Sequence, residues 1–239
     1  MNLVLFETAA QAACLVADDP RAAHIRDVLR MRPGDKLFVG VVNGPRGQAT
    51  IADDGPAGMK LDIVWEKTTE PLRPITVLVG RPRPQTARDL LREAASFGVA
   101  ALHFFGAEKG EASYASSTLW SSGEWAQRLR EGAAQAFATG IPTVEQHASL
   151  AAALEKIAEA SGARLALDVY EGTAPLSALV PASGPVILAL GAERGWAAAE
   201  RTALRAAGFA LGHLGQRVLR TETALVAGLS VVLARRGEF

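Results

Sequence analysis

The chain has 239 residues, of which 49% are hydrophobic and 21% are charged, a composition typical of a folded protein with one large domain or two smaller ones. Lysine plus arginine equals aspartate plus glutamate at 25 residues each. No overall positive charge therefore indicates a nucleic-acid ligand, and any RNA site must be local. Arginine outnumbers lysine, which is a mild indication of RNA contact, although a GC-rich genome explains the bias equally well.

The cysteine and histidine content restricts the kinds of site that the chain can form. Cys14 is the only cysteine, so a disulfide framework or a zinc–cysteine cluster is excluded within one chain, and a cytoplasmic protein is expected. Neither a signal peptide nor a membrane span is predicted, because the first residues lack a basic region and no apolar run approaches about 18 residues. We predict no metal site, because the four histidines are far apart in sequence and form no HxH or HExxH pattern. They are His24, His103, His147 and His213.

A proline-rich segment, PLRP at 71–74, is predicted to link two domains, because each proline restricts its own backbone and that of the residue before it. Before this linker the pattern is mostly that of β-strands, with one short helix at about 20–31. In 59–66, Leu61, Ile63 and Trp65 alternate with residues pointing the other way, which is the period of a half-buried strand. Residues 1–70 are therefore predicted to form a small β-barrel.

After the linker the pattern changes to long apolar runs separated by amphipathic segments, which indicates an α/β domain with a parallel sheet covered on both faces. The runs are 75–80, 100–105, 164–169, 185–191 and 209–215.

Four helices are predicted in this second part, one of them an alanine-rich segment at 151–160. The first begins at a Thr86-x-x-Asp89 capping pattern, buries Ala87, Leu90, Leu91, Ala94 and Ala95, and ends at Gly98. The second covers about 122–138 and places one apolar stripe on its surface, formed by Trp125, Leu129, Ala133 and Phe137. The last covers 221–235 and carries Leu225, Val226, Leu229, Val232 and Leu233 at helical spacing.

Two short segments follow predicted strands, where α/β sheets bind their ligands. GAERGW at 191–196 has glycines that allow a close backbone approach, although an ordinary strand-to-helix turn needs them too. In LGQRVLRTETA at 214–224, Thr221 or Thr223 and the glutamate are explained by capping of the last helix. Arg217 and Arg220 are not, because cations oppose the dipole at a helix N-terminus. They indicate an anionic partner.

These segments resemble the family of 16S ribosomal RNA (uracil-N3)-methyltransferases, whose members carry LGxRxLRxETA beside a GPEGG-type loop. HIRDVLRMRPGD at 24–35 also resembles the family's N-terminal H-x3-VLR-x3-G pattern. Three positions depart from the family pattern. Ala192 stands where the family usually has a proline, Arg194 where it has a glycine and Ala138 where it has an arginine. The matching positions are Gly191, Glu193, Gly195, Leu214, Gly215, Arg217, Leu219, Arg220, Glu222, Thr223 and Ala224.

The resemblance implies a SPOUT (α/β-knot) methyltransferase domain at 75–239, in which a trefoil knot holds S-adenosylmethionine, preceded by a PUA-like RNA-binding barrel at 1–70. It implies a homodimer that acts on 16S rRNA or the small ribosomal subunit without a metal. Arg220 is expected to stabilise charge on the uracil, and Glu222 is the candidate base or orienting carboxylate. The expected cofactor contacts are Leu167, Asp168, Leu190, Gly191, Glu193, Gly195, Leu214, Gly215, Val218, Leu219, Arg220 and Thr223.

RNA binding is expected at the densest basic stretch of the N-terminal domain, where Arg26 and Arg30 are spaced to share one helical face. A solvated helix face explains the same charges. Two other functions stay open: methylation of a ribose or another base, and a non-catalytic RNA-binding or ribosome-assembly factor that retains the fold. The candidate RNA contacts are Arg21, His24, Arg26, Arg30 and Arg32.

Overall fold

In a computed structural model, which describes residues 3–239, the chain divides into two units. The first runs to Pro71 and includes Arg130–Ile141, and the second contains Leu72–Leu129 and Pro142–Phe239. The boundary lies in the proline-rich segment. The sequence pattern had assigned 130–141 to the second part of the chain, and the contacts assign it to the first.

The first unit is built on a five-stranded sheet with the order β1-β3-β4-β5-β2. Strand β1 pairs with β3 in parallel, and the other neighbours pair antiparallel. The strands are β1 (Val4–Phe6), β2 (Cys14–Val16), β3 (Lys36–Val41), β4 (Arg46–Gly55) and β5 (Gly58–Trp65).

The alternation predicted for the last of these strands is confirmed. Leu61 is buried, and Ile63 and Trp65 pack against the same core, whereas Val64 on the opposite face is 77% exposed. The sheet therefore has one apolar face. The core of the first unit lies against this face, and its largest fully buried side chains include Phe6, Leu15, Ile25, Ile51 and Met59.

The helical part of the first unit differs from the prediction of one helix at about 20–31. Helix α1 (Ala9–Ala13) was not predicted, and α2 (Pro20–Ala23) continues into a single π-helical stretch, His24–Val28. Arg30 lies beyond that stretch with φ of 55°. The predicted shared face of Arg26 and Arg30 is therefore wrong, because a left-handed residue cannot continue a helix.

The segment 130–141 packs into the first unit through Phe137, whose ring meets that of Phe38 edge-on at 4.8 Å. The Leu3 N–H donates to the Ala134 carbonyl at 3.3 Å. Phe137 has φ of 61° and lies beyond the helix that precedes it. Its predicted place on a helical stripe is wrong, because the chain leaves the helix before reaching it.

The second unit is built on a seven-stranded sheet with the order β10-β12-β9-β11-β6-β7-β8, and every neighbouring pair is parallel. The predicted parallel sheet is thus confirmed, with two additional strands at its edges, β8 and β10. The strands are β6 (Arg73–Gly80), β7 (Val99–Phe105), β8 (Thr143–His147), β9 (Ala163–Leu167), β10 (Ala174–Pro175), β11 (Val186–Leu190) and β12 (Ala210–His213).

Helices connect these strands. Among residues 3–239, no helix has the length and hydropathy needed to cross a bilayer. Between the strands lie α3 (Pro84–Ser96), a 3-10 turn (Ala112–Ser116), α4 (Thr118–Ser121), α5 (Glu124–Gln135), α6 (Leu150–Lys156), α7 (Leu176–Leu179) and α8 (Ala198–Ala206), and α9 (Thr221–Arg235) follows the last strand.

The buried faces of α3 and α9 agree with the sequence pattern, and so does the end of α3 at Gly98, whereas the predicted N-terminal caps of both helices do not. All five predicted apolar residues of α3 are buried, and Gly98 ends the turn with φ of 66°. However, α3 begins with Pro84 at its first turn, so Thr86 lies inside it. Similarly, α9 starts after Arg220 without a side-chain cap, and neither Thr221 nor Thr223 caps it. Both helices pack against each other.

Candidate functional site

A cavity of about 580 Å³ opens in the second unit at the carboxyl ends of β9, β11 and β12, where parallel sheets generally bind ligands. Three loops form most of its wall, and the start of α3 completes it. The lining residues are Leu167–Tyr170, Leu190–Trp196, His213–Gly215, Arg217–Glu222 and Ala224, together with Arg83 and Thr86.

The structure brings together nearly all the candidate cofactor and catalytic residues that the sequence pointed to. The candidate cofactor residues line this one cavity, with the exception of Thr223. Arg220 and Glu222, the candidate catalytic residues, line it too. Thr223 follows them in the first turn of α9, and its exposed side chain points elsewhere. The individual roles of these residues stay predictions.

The first loop is fixed by a buried ion pair. The carboxylate of Asp168, only 4% exposed, accepts a hydrogen bond from Arg201 Nε at 2.5 Å and another from the Tyr170 N–H at 2.9 Å. Burial alone would raise the pKa of Asp168, but the hydrogen bonds from Arg201 and from two backbone N–H groups outweigh it and hold the pKa below its ordinary value. Arg201 lies on α8, so the loop is tied to a helix. The sequence pattern gave no signal for this arginine.

The second loop is fixed by Trp196, the largest fully buried side chain of the described chain. Its indole Nε1 donates to the Leu167 carbonyl at 2.8 Å and thereby joins two of the cavity loops. Its ring stacks on Phe105, with centroids 5.9 Å apart. The Arg83 N–H donates to the Glu193 carboxylate at 2.8 Å, which connects the same loop to the start of α3.

One of the two departures from the family pattern in this loop, Arg194, is compatible with the loop backbone. The left-handed residue is Gly195, with φ of 67°, and the replaced glycine position, Arg194, is not in that region. The Arg194 side chain is 73% exposed and lies 3.7 Å from Glu111. A larger residue is therefore tolerated at 194, because neither backbone geometry nor space demands a glycine there.

The third loop carries charge that the protein does not neutralise. Arg217 and Arg220 are exposed and form no ion pair within residues 3–239. Arg220 immediately precedes α9, and its carbonyl accepts a hydrogen bond from the Ala224 N–H at 2.8 Å. A cation at this end of a helix is disfavoured by the helix dipole. The arrangement is suited to a ligand that brings negative charge to the cavity.

Apolar groups stand beside these cations. Val218 is 67% exposed, Leu219 37% and Tyr170 74%, and all three line the cavity. Exposed large apolar side chains grouped in this way are typical of a surface that a ligand or another chain covers. The cavity thus offers apolar surface next to positive charge that no ion pair within residues 3–239 compensates.

The candidate RNA contacts of the first unit are not equivalent. Asp19 binds the guanidinium of Arg21 through two hydrogen bonds of 2.9 and 2.7 Å, and Asp54 binds that of Arg26 in the same manner at 3.0 and 2.7 Å. Carboxylates therefore already neutralise both arginines. In the described residues, the remaining candidates form no ion pair with an acidic side chain: His24, Arg30 and Arg32.

Comparison with known proteins agrees with this site. A family model described as RNA methyltransferase domain matches residues 68–233. Ribosomal RNA small subunit methyltransferase E of Treponema pallidum is 33% identical over 98% of this chain and 91% of its own length. Its Borreliella burgdorferi counterpart is 25% identical over 99% and 98%. The crystal structure of the Neisseria gonorrhoeae enzyme, bound to S-adenosyl methionine, superposes with a TM-score of 0.79 at 21% identity and covers 98% of this chain and 97% of that one.

Proposed function

Because the chain belongs to the ribosomal RNA small subunit methyltransferase E family, it is an S-adenosylmethionine-dependent rRNA methyltransferase, and we propose that it methylates N3 of a uridine in 16S rRNA. The observation that carries the proposal is the convergence of GAERGW and LGQRVLRTETA on one cavity. We further propose that the sheet and its three loops form the trefoil knot of the SPOUT fold, and that the first unit is a PUA-like barrel. The enzyme is proposed to act in the cytoplasm, where ribosomal subunits are found.

The cavity is suitable for the cofactor in both size and lining. Its volume of about 580 Å³ lies within the range of small-molecule sites. Leu167, Leu190 and Leu219 provide apolar surface for an adenine ring. Backbone groups of the three loops are proposed to hold the polar parts, with Asp168 and Trp196 fixing the loops rather than binding directly.

The residues around the cavity account for the chemistry that methylation of an imide nitrogen needs. S-adenosylmethionine supplies an electrophilic methyl group. The N3 nitrogen of uracil is a poor nucleophile until its proton leaves, so the protein must favour the deprotonated base. The free guanidinium of Arg220 is proposed to donate hydrogen bonds to the uracil oxygens as they gain negative charge. Glu222, one residue into α9, is proposed to accept the proton or to orient the base.

A homodimer is proposed on the basis of the exposed apolar group beside the cavity. Val218 and Tyr170 are more than half exposed, and burial of such surface against a second copy would stabilise an association. RNA is proposed to contact the first unit through Arg30 and Arg32, neither of which forms an ion pair with an acidic side chain in the described residues.

Two measurements test the proposed function. Calorimetric titration with S-adenosylmethionine should show binding, and incubation of the purified protein with labelled cofactor and unmethylated small ribosomal subunits should give 3-methyluridine on nucleoside analysis. Methyl transfer to a ribose or to another base would contradict the proposed target and keep the enzyme class. Cofactor binding without any transfer to small subunits or to free 16S rRNA would favour the non-catalytic alternative.

A further inference from the structure

A second cluster of chemically active side chains lies in the same unit, away from the loops of the cofactor cavity. His103 on β7 is paired in register with Glu145 on β8, and His147 follows two residues later on β8. In-register residues of neighbouring parallel strands, and residues two apart on one strand, project from the same face of a sheet. The three side chains therefore converge although 44 positions separate the two histidines.

The distances between the three side chains suit a metal ion. His103 Nδ1 lies 2.9 Å from His147 Nε2, and one potential ligand atom from each residue lies within 4.8 Å of the others. Two nitrogens bound to Zn²⁺ at about 2.0–2.1 Å in a tetrahedral site lie roughly 3.4 Å apart. The imidazoles would need to separate by about half an ångström, and the Glu145 side chain, 42% exposed, would need to turn away from its ion pair with Lys156.

We propose that His103, Glu145 and His147 bind a divalent transition-metal ion of the Zn²⁺ type. Two imidazole nitrogens and one carboxylate oxygen form the three-ligand set of zinc sites that keep an open coordination position. Oxygen-only sites favour Mg²⁺ or Ca²⁺ instead, so the two histidines set the choice of ion.

Two nearby cations limit the affinity. Lys156 Nζ lies 3.2 Å from a Glu145 oxygen, and Arg81 donates to the backbone carbonyl of His147 at 3.1 Å. The lysine side chain is 54% exposed and can move away. The hydrogen bond from Arg81 goes to the backbone of His147 and does not occupy a ring nitrogen.

A second cavity of about 830 Å³ reaches the cluster at His147, which lines it together with Gln146, Ser149 and Arg81, so an ion in this cavity can meet His147. Because β8 is the terminal strand in the order of the sheet, a bound ion would tie this edge strand to β7. An ion that binds only the folded state should raise the melting temperature, and the rise should increase with metal concentration.

The test is a calorimetric titration of the chelator-treated full chain with ZnCl₂ at neutral pH, together with melting curves. We expect one ion per chain and a higher melting temperature with Zn²⁺. Glu145→Gln keeps size and shape and should weaken binding at least tenfold, and His147→Gln should weaken it further. His24→Gln, in the first unit, is the matched control and should bind as the wild type does.

Melting curves in chelator check that each variant is folded. If His147→Gln is unstable, Glu145→Gln still tests the proposal, because the replaced side chain is half-exposed. Absence of binding at millimolar Zn²⁺ would overturn the proposal. Equal binding by wild type and Glu145→Gln, or a loss of binding in His24→Gln, would overturn it as well, since the ion would then be held elsewhere.

Discussion

Replacement of Arg220 by alanine separates a catalytic role from a structural one. The side chain is exposed and forms no ion pair in the part of the chain that the structure describes, so its removal leaves no buried partner unpaired. The free energy of unfolding should therefore change by less than about 0.5 kcal/mol. A lost donor to a developing negative charge typically costs about 3 kcal/mol, or roughly a hundredfold in rate. Arg220→Ala should slow methyl transfer by that factor.

The assay is single-turnover transfer of labelled methyl groups to small ribosomal subunits, with cofactor affinity measured by calorimetry. Arg220→Lys should recover only part of the rate, because an ammonium cannot form the forked contact of a guanidinium. Arg235→Ala, an exposed arginine at the other end of α9, is the matched control and should keep the wild-type rate. A loss of cofactor affinity and melting temperature together with the rate would refute the catalytic role.

Three further predictions concern the loops and the RNA. Trp196→Phe keeps an aromatic ring but leaves the Leu167 carbonyl without its indole donor. Urea titration should therefore show that the free energy of unfolding falls by about 1–3 kcal/mol, and cofactor binding should weaken. Unchanged cofactor affinity would mean that this hydrogen bond does not shape the cavity. The pKa of Asp168 lies below its ordinary 3.8, so the ionised carboxylate stabilises the fold fully above pH 3.8. Below that pH its contribution to the free energy of unfolding is lost by at most about 1.4 kcal/mol per pH unit, and the acid unfolding of Asp168→Asn should lack this loss. The double change Arg30→Ala, Arg32→Ala should weaken rRNA binding and reduce the slope of log affinity against log salt concentration by the equivalent of about two phosphate contacts. Filter binding at several salt concentrations measures this slope. An unchanged slope would mean that RNA binds elsewhere on the protein.

Elements with strong local patterns were predictable from the sequence. The bounds of α9 were predicted as observed, because an apolar stripe and an acidic first turn both mark it. The central strands were predicted from apolar runs in the sequence. In one of them, Val186–Leu190, every side chain is buried in the structure. Convergence of the candidate site followed, since loops after neighbouring parallel strands meet at one edge of a sheet.

Features that depend on tertiary contacts were not predictable. Strand β8 has a polar sequence with half-buried residues, so it lacks the apolar run that marks the inner strands. Its pairing with β7 brings His103 and His147 together, and spacing along the chain gives no sign of that contact. Phe137 was assigned to a helix because its spacing fits one, but its packing on Phe38 and its left-handed backbone decide otherwise.

The helix caps show the same limit on a smaller scale. Thr86 and Thr221 are good capping residues, yet Pro84 and Arg220 occupy the positions that start the two helices. The residue at which a helix begins depends on the path of the preceding loop. The loop before α3 is held by a hydrogen bond from the Arg83 N–H to Glu193, more than a hundred residues away along the chain.

The measurement that tests the central proposal most directly is mass spectrometry of nucleosides from the 16S rRNA of a strain lacking this protein. The proposed function predicts that 3-methyluridine disappears, that the wild-type chain restores it and that Arg220→Ala restores it slowly or incompletely. Retention of 3-methyluridine in the deletion strain, with loss of a different methylated nucleoside or of none, would contradict the proposed target.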